Sequence, residues 1–277
     1  MKKNSKYFLL KKDSVFKNVF YRDEELLKRF LNDILCNFYD NLHIDKVIVH
    51  NTELTKDRVY IKNKTVDIFV EASGKFFNIE VNIDSSMRII NRNFFFLTSK
   101  LIEYIKKENK YINIPEHVQI NFNWNGKTKD GFEELQYGNL KTKEVAIPFI
   151  KTININVDYF INEWYTNDKK KSFYDKYKSI IVFGLNEKQF KNLKDDDIYM
   201  KKLVSDVENL NKDPEFYQWM TDEEDIECQL NSAFVEGENQ GKEEGSKKTE
   251  ENIIKAMIEK GMTREDIQEI INLSNGI

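Results

Sequence analysis

Residues 65–82, TVDIFVEASGKFFNIEVN, alternate apolar and polar side chains on both sides of a Ser73-Gly74 turn signal. That is the pattern of a β-hairpin. A two-residue loop sets Ala72 opposite Lys75, and a four-residue loop keeps the same register, whereas a three-residue loop breaks it. In this register Val66, Ile68 and Val70 share one face with Phe77, Ile79 and Val81, and Asp67 stands opposite Glu80. Opposed carboxylates repel, with β-carbons about 5 Å apart. Either they lie on a wet face, where the repulsion is mild, or a divalent cation between them converts it into a binding site. Asn82 lies two residues beyond Glu80 on the same face.

The flanking periodicities predict the surrounding elements. Asp13 is expected to cap a first helix, and Leu26, Leu27, Phe30, Leu31, Ile34 and Leu35 recur at helical spacing over residues 23–38. Short strands follow near 46–50 and 58–61, then the hairpin. A long helix is expected over 86–108 and a strand over 117–124. This succession of elements suits an α/β/α layer fold with a mixed sheet. Residues 143–160 read as extended, 180–183 as a further strand, and 187–193 and 196–210 as helices. Pro214, Trp219 and the acidic run 222–225 mark a change of regime.

Several motifs stand in a recognisable order. They are Asp13-Ser-Val-Phe16-Lys17-Asn-Val-Phe20, Val66-Asp67-Ile68, Asn78-Ile79-Glu80-Val81-Asn82, Arg92 with Phe94 to Phe96, Lys110-Tyr111, and Val118-Gln119-Ile120-Asn121-Phe122. With the tail Glu236-Gly237, Gly241 and Gly245, the set resembles the recombination-promoting nuclease/transposase (Rpn) branch of the PD-(D/E)XK nuclease superfamily. The resemblance covers most of the chain. It implies a restriction-endonuclease-like α/β/α core with a C-terminal helical tail, and a metal-dependent endonuclease acting on DNA in recombination, transposition or defence.

By the same resemblance Asp67, Glu80 and the backbone carbonyl of Val81 hold Mg2+ or Mn2+. The ion polarises the scissile phosphate and lowers the pKa of an attacking water. Asn82 stands where the superfamily carries Lys and this branch carries Gln. Asparagine is neutral and one methylene shorter than Gln. Arg88 and Arg92, four apart on the helix after the hairpin, are candidates to supply the missing charge. Asp13 is a candidate accessory acid or a helix cap. Glu53 has the look of an outer acid. Phe94 to Phe96 either stack on bases or pack on the sheet. The rival reading is a catalytically degenerate nuclease fold that binds DNA or a protein; an RNA nuclease on the same scaffold is a third.

Charge does not exclude nucleic acid. The formal net charge is −4, but residues 221–250 hold ten acids and three bases, so the rest of the chain is slightly basic. No apolar run reaches the ~18 residues of a membrane span. Two cysteines, Cys36 and Cys228, offer no zinc spacing, and a reducing, cytoplasmic setting is expected. The domains expected are a nuclease-like unit over 1–220, an acidic Gly-punctuated linker or exposed helix over 221–248, and a helical hairpin over 249–277. A homodimer is expected from function, because two nicks make a double-strand break.

Overall fold

The computed structural model describes residues 6–50, 67–82, 86–108, 111–124, 130–166, 168–263 and 267. The expected strand at 58–61, together with Glu53, Val66 and Lys110, lies outside them.

Helix α1 (Asp13–Arg22) turns Val15, Phe16, Val19 and Phe20 inward. Asp13 is its first helical residue rather than its cap. The cap position is Lys12, and the Asp13 carboxylate accepts instead from Ser14 N at 2.7 Å. Helix α2 (Glu24–Leu35) starts at Asp23, whose side chain accepts from Leu26 N, and buries the apolar stripe read from its sequence.

Strand β1 (Val47–Val49) pairs with β2 (Ile68–Ala72), which forms the hairpin with β3 (Lys75–Asn82). Ser73 and Gly74 both adopt positive φ, +49° and +70°. That is the type I′ turn, whose twist matches the strands it joins. Ala72 pairs with Lys75 and Ile68 with Ile79, so the expected register holds.

Helix α3 (Met87–Glu108) carries the chain to β4 (His117–Asn123), which runs parallel to β3. Strand β5 (Phe132–Gly138) forms an antiparallel pair with β6 (Val145–Asn156), and β6 lies parallel to β4. The resulting order is β1-β2-β3-β4-β6-β5, a mixed six-stranded sheet. Strand β5 has no clean alternation and no sequence expectation foresaw it. It is an edge strand and most of it is exposed.

The chain then becomes helical: α4 (Val157–Thr166), α5 (Lys170–Ile181), α6 (Glu187–Asn192) and α7 (Ile198–Lys212). The extended reading of 143–160 therefore runs four residues too far. The strand expected at 180–183 is instead the end of α5 followed by a 3-10 turn, Val182–Gly184. A short run of buried apolar residues reads the same way in a strand and in a buried helix end.

One face of the sheet meets the α1, α2 and α5 layer in an aromatic core. Phe30 lies 5.5 Å from Phe122, and Phe122 lies 4.7 Å from Phe183, measured between ring centroids. Each such ring, fully buried, contributes about 1.5–3 kcal/mol. The other face is covered by α3. Leu97 and Leu101 pack on Ile150 there, and Phe96 packs on Phe69 and Phe76.

The chain divides into two compact units, Met1–Phe216 and Tyr217–Ile277. Helix α8 (Pro214–Glu259) continues as helix through residues 221–248. It ends in a Schellman turn: Met262 N donates to Met257 O, Gly261 N donates to Ile258 O, and Gly261 has φ +82°. The second helix expected at the C-terminus falls almost wholly outside the described residues. No described helix is long and apolar enough to cross a membrane.

Candidate active site

The hairpin register sets Asp67 and Glu80 side by side, and α3 closes over the face they share. That face is dry. Asp67 is 6% exposed, Glu80 2% and Asn82 1%. The wet-face reading of the acidic pair is thereby excluded.

Each carboxylate spends one oxygen on a backbone N–H. Asp67 Oδ2 accepts from Val81 N at 2.8 Å, and Glu80 Oε1 accepts from Asp67 N at 3.1 Å. The other oxygen of each meets a cation. Lys17 Nζ, from α1, lies 3.2 Å from Asp67 Oδ1. Arg92 Nη2, from α3, lies 3.4 Å from Glu80 Oε2. Two elements on opposite faces of the sheet therefore each aim one basic side chain at the pair.

Burial still dominates the titration. It pushes the Asp67 carboxyl above its ordinary range, with the Asp13 charge adding to the rise; the Lys17 charge and the Val81 N–H bond oppose it. Glu80 is pushed well above its ordinary range by burial first and then by the Asp67 charge, against the opposing charge of Arg92.

Asn82 is hydrogen-bonded at both ends of its amide. Its oxygen accepts from Arg92 Nη2 at 2.8 Å and from Asn93 Nδ2 at 3.2 Å, and its nitrogen donates to Asn123 Oδ1 at 3.0 Å. Arg92 also lies over the Phe96 ring, 5.8 Å from its centroid, and remains 39% exposed. The guanidinium therefore bridges the buried acid and the solvent.

Of the expected participants, Asp67, Glu80, Val81, Asn82 and Arg92 come together. Asp13 is close enough for its charge to act on Asp67. Arg88 does not join them: it is exposed on the first turn of α3 and makes no hydrogen bond or ion pair among the described residues. Phe96 packs on the sheet, while Phe94 and Phe95 remain partly exposed, with Phe94 against Tyr137.

Lys17, Asn93 and Asn123 carried no expected role. Lys17 was legible in principle, since it follows Phe16 and sits one helical turn from Asp13 and Phe20. Asn93 and Asn123 had no signal beyond their position on a helix stripe and a strand face.

Among the described residues, no group of three or more His, Cys, Asp or Glu side chains is placed to hold a metal ion. The acidic donors at hand are the two carboxylates. Hard oxygen donors of this kind suit a cation that keeps several waters and shares a substrate phosphate. The Lys17 ammonium and the Arg92 guanidinium also mark where positive charge is favourable.

A family model described as PD-(D/E)XK nuclease family transposase matches residues 10–236 of the chain. No curated protein and no solved structure matches it.

Proposed function

We propose, from the premise that the chain belongs to the PD-(D/E)XK nuclease family transposases, that it is a divalent-metal-dependent endonuclease hydrolysing DNA phosphodiesters in the cytoplasm. The observation that carries this reading is the buried Asp67–Glu80 pair, with one oxygen of each carboxylate held by backbone N–H and the other turned to a cation. A protein without use for that pair would gain by replacing it with apolar residues, since burying two like charges is costly.

Mg2+ or Mn2+ bound by Asp67, Glu80 and the Val81 carbonyl would polarise a phosphate oxygen and acidify a bound water. The chain's own groups do the rest. Asp67 and Glu80 are each oriented by one backbone hydrogen bond and would act as ligands once Lys17 and Arg92 give up the other oxygens. Arg92 offers donors toward solvent beside Glu80 and binds a phosphate oxygen there, as a guanidinium does with fixed geometry. It supplies from the helix the charge that Asn82 lacks. Helix α3 excludes water from the face behind the carboxylates and so strengthens their field.

One observation favours the degenerate, partner-binding reading. Both ends of the Asn82 amide are engaged by protein groups, so its oxygen has no spare lone pair for ordering a water. The two readings part in a plasmid assay. Nicking that requires Mn2+ or Mg2+ and is lost in Glu80→Ala, with melting behaviour intact, supports the enzyme; no nicking by folded wild type supports the binding module.

A further inference from the structure

Glu80 belongs to a row that crosses the sheet. It pairs with Asn121 on β4, Asn121 pairs with Asn154 on β6, and Asn154 pairs with Glu133 on β5. The row spans three strand spacings, roughly 14 Å. Carboxylates stand at both ends and amides between.

The amides form a directed chain. Asn154 Nδ2 donates to Glu133 Oε2 at 2.7 Å, and Asn121 Nδ2 donates to Asn154 Oδ1 at 2.8 Å. Asn121 Oδ1 then accepts from Asn93 Nδ2 at 2.8 Å and from Gln119 Nε2 at 2.8 Å. Asn93 also donates to Asn82 Oδ1, which leaves its own oxygen to accept from Arg92 Nε at 3.2 Å.

Every orientation in this chain follows from its two ends. A carboxylate can only accept and a guanidinium can only donate. Reversing one amide sets oxygen against oxygen or N–H against N–H, and each reversal forces the next. If Asn121 reversed, Asn93 would turn its amino group toward Arg92 Nε–H, and the guanidinium would lose the acceptor that orients it.

We infer that Glu133 is a positioning residue: through Asn154, Asn121 and Asn93 it fixes which way the amides point and so holds Arg92 against Asn82 and Glu80. The inference rests on the nuclease reading for its catalytic consequence. The orientation of the ladder itself does not.

The test uses the full chain with Mn2+ and a DNA substrate. Glu133→Lys places a pure donor at the end of the ladder. It lowers kcat about ten- to a hundredfold while leaving KM within about twofold, as loss of orientation does. Glu133→Gln, whose amide oxygen still accepts, recovers most of that loss. Adding Asn154→Asp to Glu133→Lys restores an acceptor for Asn121 and recovers kcat to within about threefold of wild type. Asn154→Leu breaks the same step and carries the test if Glu133→Lys does not fold.

The second readout is the side-chain amide 15N resonances of Asn82 and Asn93, which shift in Glu133→Lys and return in the double variant. A folded Glu133→Lys with wild-type kcat and unshifted resonances overturns the inference, as does a folded double variant that recovers neither. If wild type cuts no DNA, the nuclease reading falls on its own, and the resonances still decide the ladder: shifted supports it, unshifted overturns it.

Discussion

Arg92 Nη2 donates to Asn82 Oδ1 at 2.8 Å, so the neutral amide two residues beyond Glu80 is an acceptor for an arginine from the following helix. The same guanidinium, carried on α3, stands 3.4 Å from Glu80 Oε2. Arg92→Ala is therefore expected to lower DNA cleavage by about 10²–10³-fold, the range for removing one oriented electrostatic group from a site. Arg92→Lys, which keeps the charge but loses the fork, should recover only part of it. Initial rates at saturating metal decide this.

Lys17 sits on the Asp67 oxygen that a metal would need. Lys17→Met removes that competitor and leaves the buried acid unpaired, so the metal-free protein should lose about 1–3 kcal/mol. Added Mn2+ should then raise the melting temperature more in Lys17→Met than in wild type, and not at all in Asp67→Ala. Chelation with EDTA should reverse both shifts. Thermal melts with and without metal give the answer.

Glu116 provides a pH test away from the site. Burial by itself would raise its pKa. Hydrogen bonds from Lys75 and from Tyr39, the latter at 2.8 Å, together with the charges of Lys75 and Lys151, outweigh burial and hold it below the ordinary glutamate range. A depressed folded pKa adds stability that is present above the unfolded value and lost as pH falls through the folded one. Glu116→Gln should therefore cost about 1–2 kcal/mol at neutral pH. The difference from wild type should shrink as pH drops below about 4. A constant gap down to pH ~3 would contradict the assignment.

The hairpin that aligns the two acids depends on its turn. Gly74 holds φ +70° with open space where a Cβ would go, so only backbone strain opposes a side chain there. Gly74→Val should destabilise the protein by about 1–2 kcal/mol, and Gly74→Asn by less. Urea denaturation distinguishes the two.

The hairpin, its register and the meeting of Asp67 with Glu80 were legible in the sequence, because a period of two joined to a positive-φ turn admits one alignment. What covers the polar face was not. Asn78, Asn82, Gln119, Asn121, Asn123, Asn154 and Asn156 alternate with apolar residues, the pattern of a solvated face. Here the same side chains are mostly buried, and all but Asn156 hydrogen-bond one another. Alternation reports that two faces differ; it does not report which is wet. Residues 180–183 misled for a related reason, since a buried helix end and a buried strand look alike over four apolar residues. The ion pair from Lys17 joins residues 50 positions apart on different elements, and local spacing carries no record of it.

A working metal site at Asp67 and Glu80 makes DNA cleavage depend on both the ion and the acids. The most direct measurement is plasmid cleavage by purified wild type and Asp67→Ala, each with EDTA, Mg2+ or Mn2+, with folding checked by melting. Wild type is expected to nick or linearise the plasmid only when metal is present, and Asp67→Ala under no condition. Cleavage that persists in Asp67→Ala, or a folded wild type that cuts nothing with either metal, would contradict this expectation.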